Sequence, residues 1–514
     1  MRTLRRLAAI LLILTLALPV SAAAAASRPG VVRIDILAVN DFHGALSAAG
    51  KNPGAAALAA YLKAERDKNP AGTLILSAGD MFQGTPDSNL LLGKTVVEFM
   101  NAAGFDAMTI GNHEFDWGLD VLRQRMAQAA FPVVSANIVD RSTGRRAGLV
   151  PPYVILERAG VKIAVVGFTT PDTAVTTNPR IVKNYLFADP ATTVKALVPE
   201  LKARGADIVV ALGHLASYPG EQPGGEAADL AAAAGGDLAA VISGHSHLRV
   251  AGKVAGVPVV QACYNGRAVA AVRIAYSAAG REVLGTAVEV KDIPPGLAPD
   301  KRVAAIVAAT QSEVAPVKGI VLGEAATALP HDRYRLSPLG QWATDALRQA
   351  AGADIAFFNG GGLRAGLAAG PVTLGDLYAA MPFDGCLEVA EMTGAQVLAA
   401  LEYGIANPRF GALQFSGLEV EYRAAAPAGQ RVAATLADGR ALEADKTYRV
   451  AVNDFLAAGG DGYEMIKAAA HQTNTFLQLR DVLAAAVRKA GIIRFLGDTR
   501  LKELSRSAAP FIAA

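Results

Sequence analysis

Five of the seven histidines lie in short polar motifs that each follow an apolar run. The motifs are Asp41-Phe42-His43, Gly111-Asn112-His113-Glu114, Gly213-His214 and Gly244-His245-Ser246-His247, and Gly79-Asp80 follows a further apolar run. Loops at the carboxyl ends of strands in an α/β sheet gather at one edge, where sites on such sheets form. Taken singly, such a histidine is usually satisfied by a backbone hydrogen bond, and a Gly-Asp pair is usually a turn. Five such motifs, each directly after an apolar run, instead predict a metal site.

Seven side chains are the candidate metal ligands: Asp41, His43, Asp80, Asn112, His214, His245 and His247. Imidazole, carboxylate and amide donors without a thiolate suit Zn, Mn, Fe or Co better than Cu(I). Because one ion takes about four to six ligands, the set predicts two divalent ions that share a carboxylate. Such a metal pair clamps both oxygens of an in-line displacement at phosphorus, which indicates phosphate ester hydrolysis. An extended backbone would place Asp41 and His43 on one side of the chain, and His245 and His247 likewise.

The elements that must position these motifs are apolar runs separated by segments of helix length. The predicted strands are residues 33–39, 73–77, 107–110, 133–136, 161–168, 208–212, 238–243 and 257–261. Helical spacing at 54–68 and 95–103 alternates with them, which predicts a layered α/β fold. A Pro/Gly-rich stretch at 293–298 precedes an amphipathic helix predicted at 299–318. A second α/β pattern then continues to about residue 504.

The first 26 residues have the three parts of a secretory signal, with Arg2, Arg5 and Arg6 before an apolar run and a small-residue cleavage region. The chain has 49 Lys and Arg against 46 Asp and Glu, so removing these three arginines leaves the two charges equal. A neutral surface argues against nucleic acid as the main partner. The apolar run is about 14 residues, shorter than the ~20 of a spanning helix. We therefore expect export to the periplasm or the extracellular space, without stable membrane insertion.

Two of the motifs, read with their neighbours, resemble the signatures of the 5'-nucleotidase family. They are Leu37-Ala38-Val39-Asn40-Asp41-Phe42-His43-Gly44 and Gly104-Phe105-Asp106-Ala107-Met108-Thr109-Ile110-Gly111-Asn112-His113-Glu114-Phe115-Asp116. The resemblance covers nearly all of the chain after residue 26. It implies an α/β protein with a four-layer αββα calcineurin-like metallophosphatase domain at 31–298, a linker helix at 299–318 and a C-terminal α/β nucleotidase domain that binds substrate at 319–504.

The same resemblance assigns roles to the candidate ligands. It implies that one ion is held by Asp41, His43, Asp80 and His247, and the other by Asp80, Asn112, His214 and His245, with Asp80 bridging. His113 is then left for catalysis, where it stabilises the developing charge and protonates the leaving oxygen. Asp116 would orient His113, although its position before Trp117 is also typical of a helix N-cap.

The C-terminal region carries candidate substrate-binding residues. A glycine triplet with an arginine at its end, Asn359 to Arg364, follows an apolar run; glycines let the backbone approach a ligand, and arginine presents a planar fork to phosphate. The resemblance makes substrate contacts of Arg333, Asn359, Gly361, Arg364, Phe383, Phe455 and Asp461, with the two phenylalanines enclosing the base. Without the resemblance, either phenylalanine fits core packing and Asp461 fits a glycine-rich turn.

These assignments place the metals and the phosphate arginines in different domains, so we expect catalysis to require rotation of the domains about the linker helix. The expected activity is hydrolysis of nucleoside 5'-monophosphates to nucleoside and phosphate by water that the metal pair activates. Hydrolysis of UDP-sugars, nucleoside diphosphates or 2',3'-cyclic nucleotides is the alternative among enzymes. A catalytically inactive nucleotide-binding protein is the alternative of another class. The sequence does not indicate an oligomeric state.

Overall fold

The structure is a computed structural model that describes residues 30–497 and 499–504. The strands of the N-terminal unit are β1 (Val31–Val39), β2 (Thr73–Ser77), β3 (Ala107–Thr109), β4 (Val133–Val134), β5 (Ile138–Asp140), β6 (Tyr153–Arg158), β7 (Val161–Thr169), β8 (Tyr185–Phe187), β9 (Ile208–His214), β10 (Ala240–Ile242), β11 (Arg249–Val254), β12 (Val257–Ala262), β13 (Ala268–Ser277) and β14 (Glu282–Asp292). Those of the C-terminal unit are β15 (Val321–Ala325), β16 (Ile355–Asn359), β17 (Gly370–Thr373), β18 (Cys386–Thr393), β19 (Leu413–Ser416), β20 (Leu418–Tyr422), β21 (Val432–Leu436), β22 (Thr447–Asn453), β23 (Gln472–Gln478), β24 (Ile492–Ile493) and β25 (Leu501–Glu503).

The helices fall between these strands. In the N-terminal unit they are Ala55–Arg66, Pro86–Asn89, Lys94–Ala103, Gly118–Gln128, Thr173–Thr176, Pro179–Val182, Pro190–Ala203 and Glu226–Ala234. Lys301–Lys318 joins the two units, and the C-terminal unit has Pro338–Ala351, Leu374–Ala380, Gly394–Gly404, Asp454–Ala457, Glu464–Lys467 and Leu479–Ala490. Single 3₁₀ turns form at His113–Phe115, Gly235–Asp237, Gly360–Gly362 and Gly460–Gly462.

Two six-stranded sheets form the N-terminal unit, in the orders β14-β13-β1-β2-β3-β4 and β11-β12-β10-β9-β7-β6. The strands β1, β2, β3 and β4 run parallel in the first sheet, and β7, β9, β10 and β12 run parallel in the second. Residues at the ends of neighbouring strands pair directly, Val39 with Ser77 and Ser77 with Met108. The loops after β1, β2 and β3 therefore begin close together.

Apolar residues of both sheets fill the space between them. Together with the helices outside, they bury both faces of the parallel strands. Ile36 and Leu76 of the first sheet belong to one buried cluster with Val165, Val210 and Ile242 of the second. On the outer faces, the helix Ala55–Arg66 covers the first sheet and Pro190–Ala203 covers the second. The predicted four-layer αββα arrangement is confirmed, and its physical reason is that each sheet has two apolar faces to bury.

The helix Lys301–Lys318 agrees with the helix predicted at 299–318. It begins at the N-cap Asp300, whose side chain accepts a hydrogen bond from the backbone N–H of Val303. Thr310 of this helix donates to the hydroxyl of Thr95 over 3.0 Å, and Lys318 pairs with Asp87. Both contacts fasten the helix to the N-terminal unit.

A five-stranded sheet, ordered β19-β16-β22-β18-β23, is the centre of the C-terminal unit. The helices Pro338–Ala351 and Leu479–Ala490 contribute to one apolar cluster with residues of this sheet, and Gly394–Gly404 contributes to another. Helices on both faces of a mixed sheet give the α/β architecture expected for this part of the chain.

The predicted strands correspond to β1, β2, β3, β4, β7, β9, β10 and β12. The run at 133–136 forms only the two-residue strand β4, because Ser135 and Ala136 bond instead to Pro151 and Gly167. The predicted signal segment, residues 1–26, lies outside the described residues. Among the residues described, no helix combines the length and the apolarity that crossing a membrane requires.

Candidate dinuclear metal centre

All seven predicted metal ligands lie where the two sheets of the N-terminal unit meet at their carboxyl edges. Asp41 and His43 follow β1, Asp80 follows β2 and Asn112 follows β3, whereas His214 ends β9 and His245 and His247 follow β10. The sequence predicted one sheet edge. The structure instead divides the ligands between two facing sheets, so their separation depends on how the sheets pack.

The backbone around these ligands differs from the predicted extended pairs, and that prediction is wrong. Five ligands have left-handed backbone conformations: Asp41 (φ 49), His43 (φ 50), Asp80 (φ 53), His245 (φ 77) and His247 (φ 60). This region costs a residue with a Cβ about 1–2 kcal/mol. Hydrogen bonds between the loops hold it, since the N–H groups of Asp41 and His43 donate to the carbonyls of Gly79 and Asp80 over 3.0 Å. Strain concentrated at one place is typical of a functional site.

One group of ligand atoms consists of Asp41, His43 and His247, all within 4.8 Å of one another. The Nδ1 of His43 donates to the carbonyl of Gln83 over 2.9 Å, which leaves its Nε2 free to accept. That Nε2 lies 3.0 Å from Nε2 of His247, which is itself 3.3 Å from Oδ1 of Asp41. Burial and His247 lower the pKa of His43 to about 3, so its imidazole is neutral. Only a proton or a cation between the two nitrogens satisfies both lone pairs.

The second group consists of Asp80, His214 and His245. His214 donates from Nδ1 to the carbonyl of Ala78 over 2.8 Å, so its Nε2 points at Oδ2 of Asp80 and Oδ1 of Asn112, each 3.1 Å away. Burial opposes protonation of His214, but Asp80 raises its pKa to about 10. These three atoms converge on one point, which the carboxylate of Asp80 makes favourable for positive charge. A divalent ion fits that point and would take the place of a proton on His214.

These two groups fit two borderline divalent ions. Their donors are nitrogen and oxygen atoms, the carboxylates of Asp41 and Asp80 are buried, and the orienting carbonyls fix the ring directions. The grouping by distance places Asp80 with His214 and His245; its role as the bridging ligand stays a prediction.

The predicted catalytic pair lies beside the metal ligands. Nδ1 of His113 is 2.7 Å from Oδ2 of Asp116, and Oδ1 of Asp116 accepts from the hydroxyl of Thr177 over 2.9 Å. Burial opposes protonation of His113, but Asp116 and then Asp80 raise its pKa above the ordinary value. The helix Gly118–Gln128 has Trp117 as its N-cap, so Asp116 does not cap it.

Glu114 is a site residue to which the sequence assigned no role. It is buried, and its carboxylate accepts hydrogen bonds from the backbone N–H groups of Gly111 (2.7 Å), Asp80 (2.8 Å) and Met81 (2.8 Å). It therefore ties the loop after β2 to the loop after β3. Burial and Asp80 raise the pKa of Glu114 to about 7. Its only signal in the sequence was its position directly after His113.

A cavity of about 920 Å³ opens between the metal centre and the C-terminal unit. The residues of the N-terminal unit that line it include Asp80, Asn112, His113, Asp116, His245 and His247. From the C-terminal unit, all seven predicted substrate residues line the same cavity: Arg333, Asn359, Gly361, Arg364, Phe383, Phe455 and Asp461. Asp41, His43 and His214 are buried.

One arginine of the C-terminal unit, Arg364, lies beside the predicted catalytic pair. Nη2 of Arg364 lies 3.4 Å from Nε2 of His113, and the guanidinium stands 5.4 Å from the ring centre of Phe383. Among the residues that the structure describes, no carboxylate lies within ion-pair distance of Arg364. Burial and the neighbouring Arg333 lower the pKa of Arg364 to about 10. A guanidinium in this setting favours an anionic ligand.

Two of the predicted substrate residues, Asn359 and Asp461, are hydrogen-bonded to each other. Asn359 donates to Oδ2 of Asp461 over 3.0 Å and accepts from Nδ2 of Asn453 over 3.0 Å. Asp461 has a left-handed backbone (φ 52) in the turn Gly460–Gly462, and burial raises its pKa to about 6. Phe455 packs over Gly460, where an added Cβ would lie 2.5 Å from its ring. Amide, carboxylate and aromatic groups that line one cavity suit a nucleoside.

Comparisons with known proteins agree with this geometry. Residues 34–249 match the calcineurin-like phosphoesterases, and residues 310–468 match the 5'-nucleotidase C-terminal domain. The chain is 34% identical over 426 residues to endonuclease YhcR of Bacillus subtilis, covering 79% of this chain and 35% of that protein. It therefore spans about a third of the length of that relative.

Two further relatives are similar over most of their own length. The chain is 31% identical over 491 residues to the 5'-nucleotidase of Vibrio cholerae, covering 84% of this chain and 86% of that protein. The structure is also similar to the crystal structure of the 5'-nucleotidase precursor from Thermus thermophilus, with a TM-score of 0.79, 30% sequence identity and coverage of 92% and 100% of the two chains.

Proposed function

Because this chain belongs to the 5'-nucleotidase family of metal-dependent phosphate ester hydrolases, we propose that it hydrolyses nucleoside 5'-monophosphates to nucleoside and phosphate. The supporting observation is the placement of Arg364. Its Nη2 lies 3.4 Å from Nε2 of His113, and no carboxylate among the described residues pairs with its guanidinium. A phosphate monoester carries close to two negative charges, so it would pair with Arg364 on one side and with the ions that the ligand groups would hold on the other.

The chain's own residues supply binding and proton transfer. Asp41, His43 and His247 would hold one ion, and Asp80, Asn112, His214 and His245 the other. When bound, such a pair of ions polarises the phosphate ester and activates water for in-line displacement. Arg364 and Arg333 would orient the phosphate from the opposite side of the cavity.

His113 would move the proton that the leaving oxygen needs. Its Nδ1 is held by Asp116 over 2.7 Å, so its Nε2 faces the cavity and Arg364. Asp116 raises the pKa of His113, which favours the charged imidazole that a proton donor needs. A general acid in this position contributes roughly 10²–10⁴-fold to the rate.

The base would lie against Phe383 and Phe455. Asp461 would accept hydrogen bonds from the hydroxyl groups of the nucleoside, and the amide of Asn359 would donate to them. Stacking on an aromatic ring is worth ~1–3 kcal/mol per base and depends little on which base it is. We therefore expect a preference for nucleotides without strict selection of the base.

Export is part of the proposal, and its support is the signal-like composition of residues 1–26. Secretion of the full-length chain, followed by determination of the N-terminus of the mature protein, tests it. A mature protein that still begins at Met1 would contradict export by cleavage.

A substrate panel tests the proposed activity. The purified enzyme is treated with a chelator, reloaded with Zn or Mn, and assayed with AMP, UMP, UDP-glucose, ATP and cyclic AMP. We expect phosphate release from AMP and UMP to be fastest, abolished by the chelator and restored by the metal. Faster hydrolysis of UDP-glucose or of the cyclic nucleotide would assign the enzyme to the alternative substrates. No hydrolysis of any of these compounds, with the nucleotide products followed by chromatography, would indicate an inactive nucleotide-binding protein.

A further inference from the structure

The segment of residues 172–180, between β7 and β8, contacts both the metal centre and the C-terminal unit. It contains the short helix Thr173–Thr176 and the start of Pro179–Val182, with Thr177 buried between them. We name residues 172–180 the coupling segment. Some of its residues contact the metal centre, and others contact the C-terminal unit.

On the side of the metal centre, the coupling segment fixes two site residues. The hydroxyl of Thr177 donates to Oδ1 of Asp116 over 2.9 Å, which leaves Oδ2 of Asp116 for His113 at 2.7 Å. The adjacent carbonyl of Thr176 accepts from Nδ2 of Asn112 over 3.4 Å. Because the carbonyl of Thr176 bonds to the NH₂ group of the Asn112 amide, the amide oxygen Oδ1 points toward His214.

On the other side, the coupling segment docks on the C-terminal unit. Arg180 makes a bidentate ion pair with the buried carboxylate of Glu388 on β18, at 2.5 and 3.0 Å. Asn178 donates to Oδ2 of Asp454 over 3.1 Å, and Asp454 directly precedes the substrate residue Phe455. At the far end, Arg409 pairs with Asp172 over 2.5 Å.

We propose that Thr177 is a positioning residue for Asp116, and that docking of Asn178 and Arg180 on the C-terminal unit holds Thr177 in place. Arg180 is three residues after Thr177 in the chain. A displacement of Arg180 would therefore also displace the hydroxyl of Thr177. The unit that carries the substrate arginines thereby sets the orientation of the His113–Asp116 pair. The proposal rests on the proposed function only for the role of His113 as the acid.

A purely structural role for Thr177 predicts different contacts. A threonine that only caps or fills space bonds to backbone or packs its methyl group, whereas the hydroxyl of Thr177 reaches a carboxylate distant in sequence, in Asp116. Removing this donor leaves one oxygen of a partly buried carboxylate without its partner. Asp116 can then rotate away from His113 while the fold persists.

The first test compares Thr177→Val, which keeps the shape and removes the hydroxyl, with Thr177→Ser, which keeps the hydroxyl. We expect Thr177→Val to lower kcat by about 10- to 100-fold, the range for partners that orient active-site ligands, with little change in KM. Thr177→Ser should retain most of the activity. Metal content by elemental analysis and the melting temperature report any loss of fold. Equal kcat values for Thr177→Val and the wild type would overturn the positioning role.

The second test asks whether the docking contact acts through Thr177. Arg180→Gln should lower kcat in the wild type, but it should lower kcat no further in the Thr177→Val background, because the two changes interrupt the same path. Arg204→Gln is the matched control, since it removes an exposed ion pair with Glu200 on the same unit. Additive losses of kcat in the double variant would overturn the coupling.

Each assay is run with AMP and with p-nitrophenyl phosphate, a chromogenic phosphate ester that has no nucleoside. If the wild type hydrolyses the chromogenic ester but no mononucleotide, the nucleotidase proposal fails and the coupling is still decided by the chromogenic data. If both substrates are hydrolysed and neither responds to Thr177→Val, the coupling fails alone.

Discussion

At the scale of single residues, hydrogen bonds to the backbone fix the orientation of two histidine ligands. The carbonyls of Gln83 and Ala78 fix the rings of His43 and His214, so each ring presents Nε2 to the metal centre. Five ligands also hold left-handed backbone conformations. The free energy stored there is compensated by hydrogen bonds between loops, so the ligand positions are set before any ion binds.

His113 is expected to act in the chemical step and not in holding an ion. It is absent from both ligand groups, and its imidazole is held by Asp116. We expect His113→Ala to lower kcat by roughly 10²–10⁴-fold while the metal content, measured by elemental analysis, stays at the wild-type value. Full activity in this variant would refute the assigned role.

We expect the affinity for substrate to depend on pH through Asp461. Burial raises the pKa of Asp461 from 3.8 to about 6, so the carboxylate gains a proton as the pH falls through 6, where an ordinary aspartate stays ionised. The protonated group accepts hydrogen bonds from sugar hydroxyls less well. We expect the KM for AMP to rise about tenfold between pH 7 and pH 5, the change in the ionised fraction.

The matched control for this pH effect is Asp461→Asn. The phosphate of AMP also titrates near pH 6, and the variant keeps that titration while it removes the carboxylate. We expect a higher KM with a flatter pH dependence in Asp461→Asn. Identical pH profiles of KM in the two proteins would assign the dependence to the substrate alone.

At the scale of elements, strand ends and close loop contacts decide where the ligands lie. The paired ends of β1, β2 and β3 start three ligand loops close together, and Glu114 then joins the second loop to the third. Gly111 lies at the tightest point, because a Cβ at this position would stand 2.2 Å from Oδ1 of Asp80. The loop after β3 therefore requires glycine there.

Gly111→Ala is expected to displace the carboxylate of Asp80 and weaken metal binding by at least about tenfold, as for other changes next to metal ligands. The number and affinity of bound ions, measured by elemental analysis and calorimetry, check this. Gly148→Ala is the control, since nothing lies within 4 Å of a Cβ at that exposed position. Unchanged metal affinity in Gly111→Ala would contradict the close approach.

At the scale of the whole molecule, the two units each supply half of one cavity. The ligand groups belong to the N-terminal unit, and the arginines and aromatic rings belong to the C-terminal unit. Arg364 contacts His113, and Asn89 donates to the carbonyl of Pro382 over 2.9 Å. Because residues of both units line the cavity, we expect the units to rotate relative to one another during turnover.

Cross-linking the units is expected to stop turnover without loss of metal. Cysteines replacing Asp172 and Arg409, whose side chains now form an ion pair, are bridged by a short reducible bifunctional reagent. The background carries Cys263→Ser and Cys386→Ser, because both native thiols are free. Turnover should fall on cross-linking and return on reduction, as followed by phosphate release.

The control for cross-linking is each single-cysteine variant treated with the same reagent, which should stay active. Metal content is measured before and after the reaction. Undiminished turnover in a protein shown by mass spectrometry to be fully bridged would contradict the need for the units to move.

The sequence by itself determined the α/β class and the identity of the candidate site residues. Runs of strand length with an apolar centre, such as Thr73–Ser77 with its Leu-Ile-Leu, predict buried strands because these side chains avoid water. Residue type likewise restricts the chemistry, since only certain side chains can hold a metal or stack on a base. The helix Lys301–Lys318 was predicted from its spacing and from the prolines at its start and near its end, which are also local signals.

Only the tertiary structure decided how these residues meet. Three features depend on segments far apart in sequence: the division of the ligands between two sheets, the left-handed backbone of Asp41 and His245, and the hydrogen bonds of Glu114 and Thr177. Such contacts follow from the packing of sheets and units against one another, and no local pattern of residue types records a distance between two loops. The chemistry of a side chain depends on its residue type alone, whereas the distances between side chains depend on the packing of the whole fold.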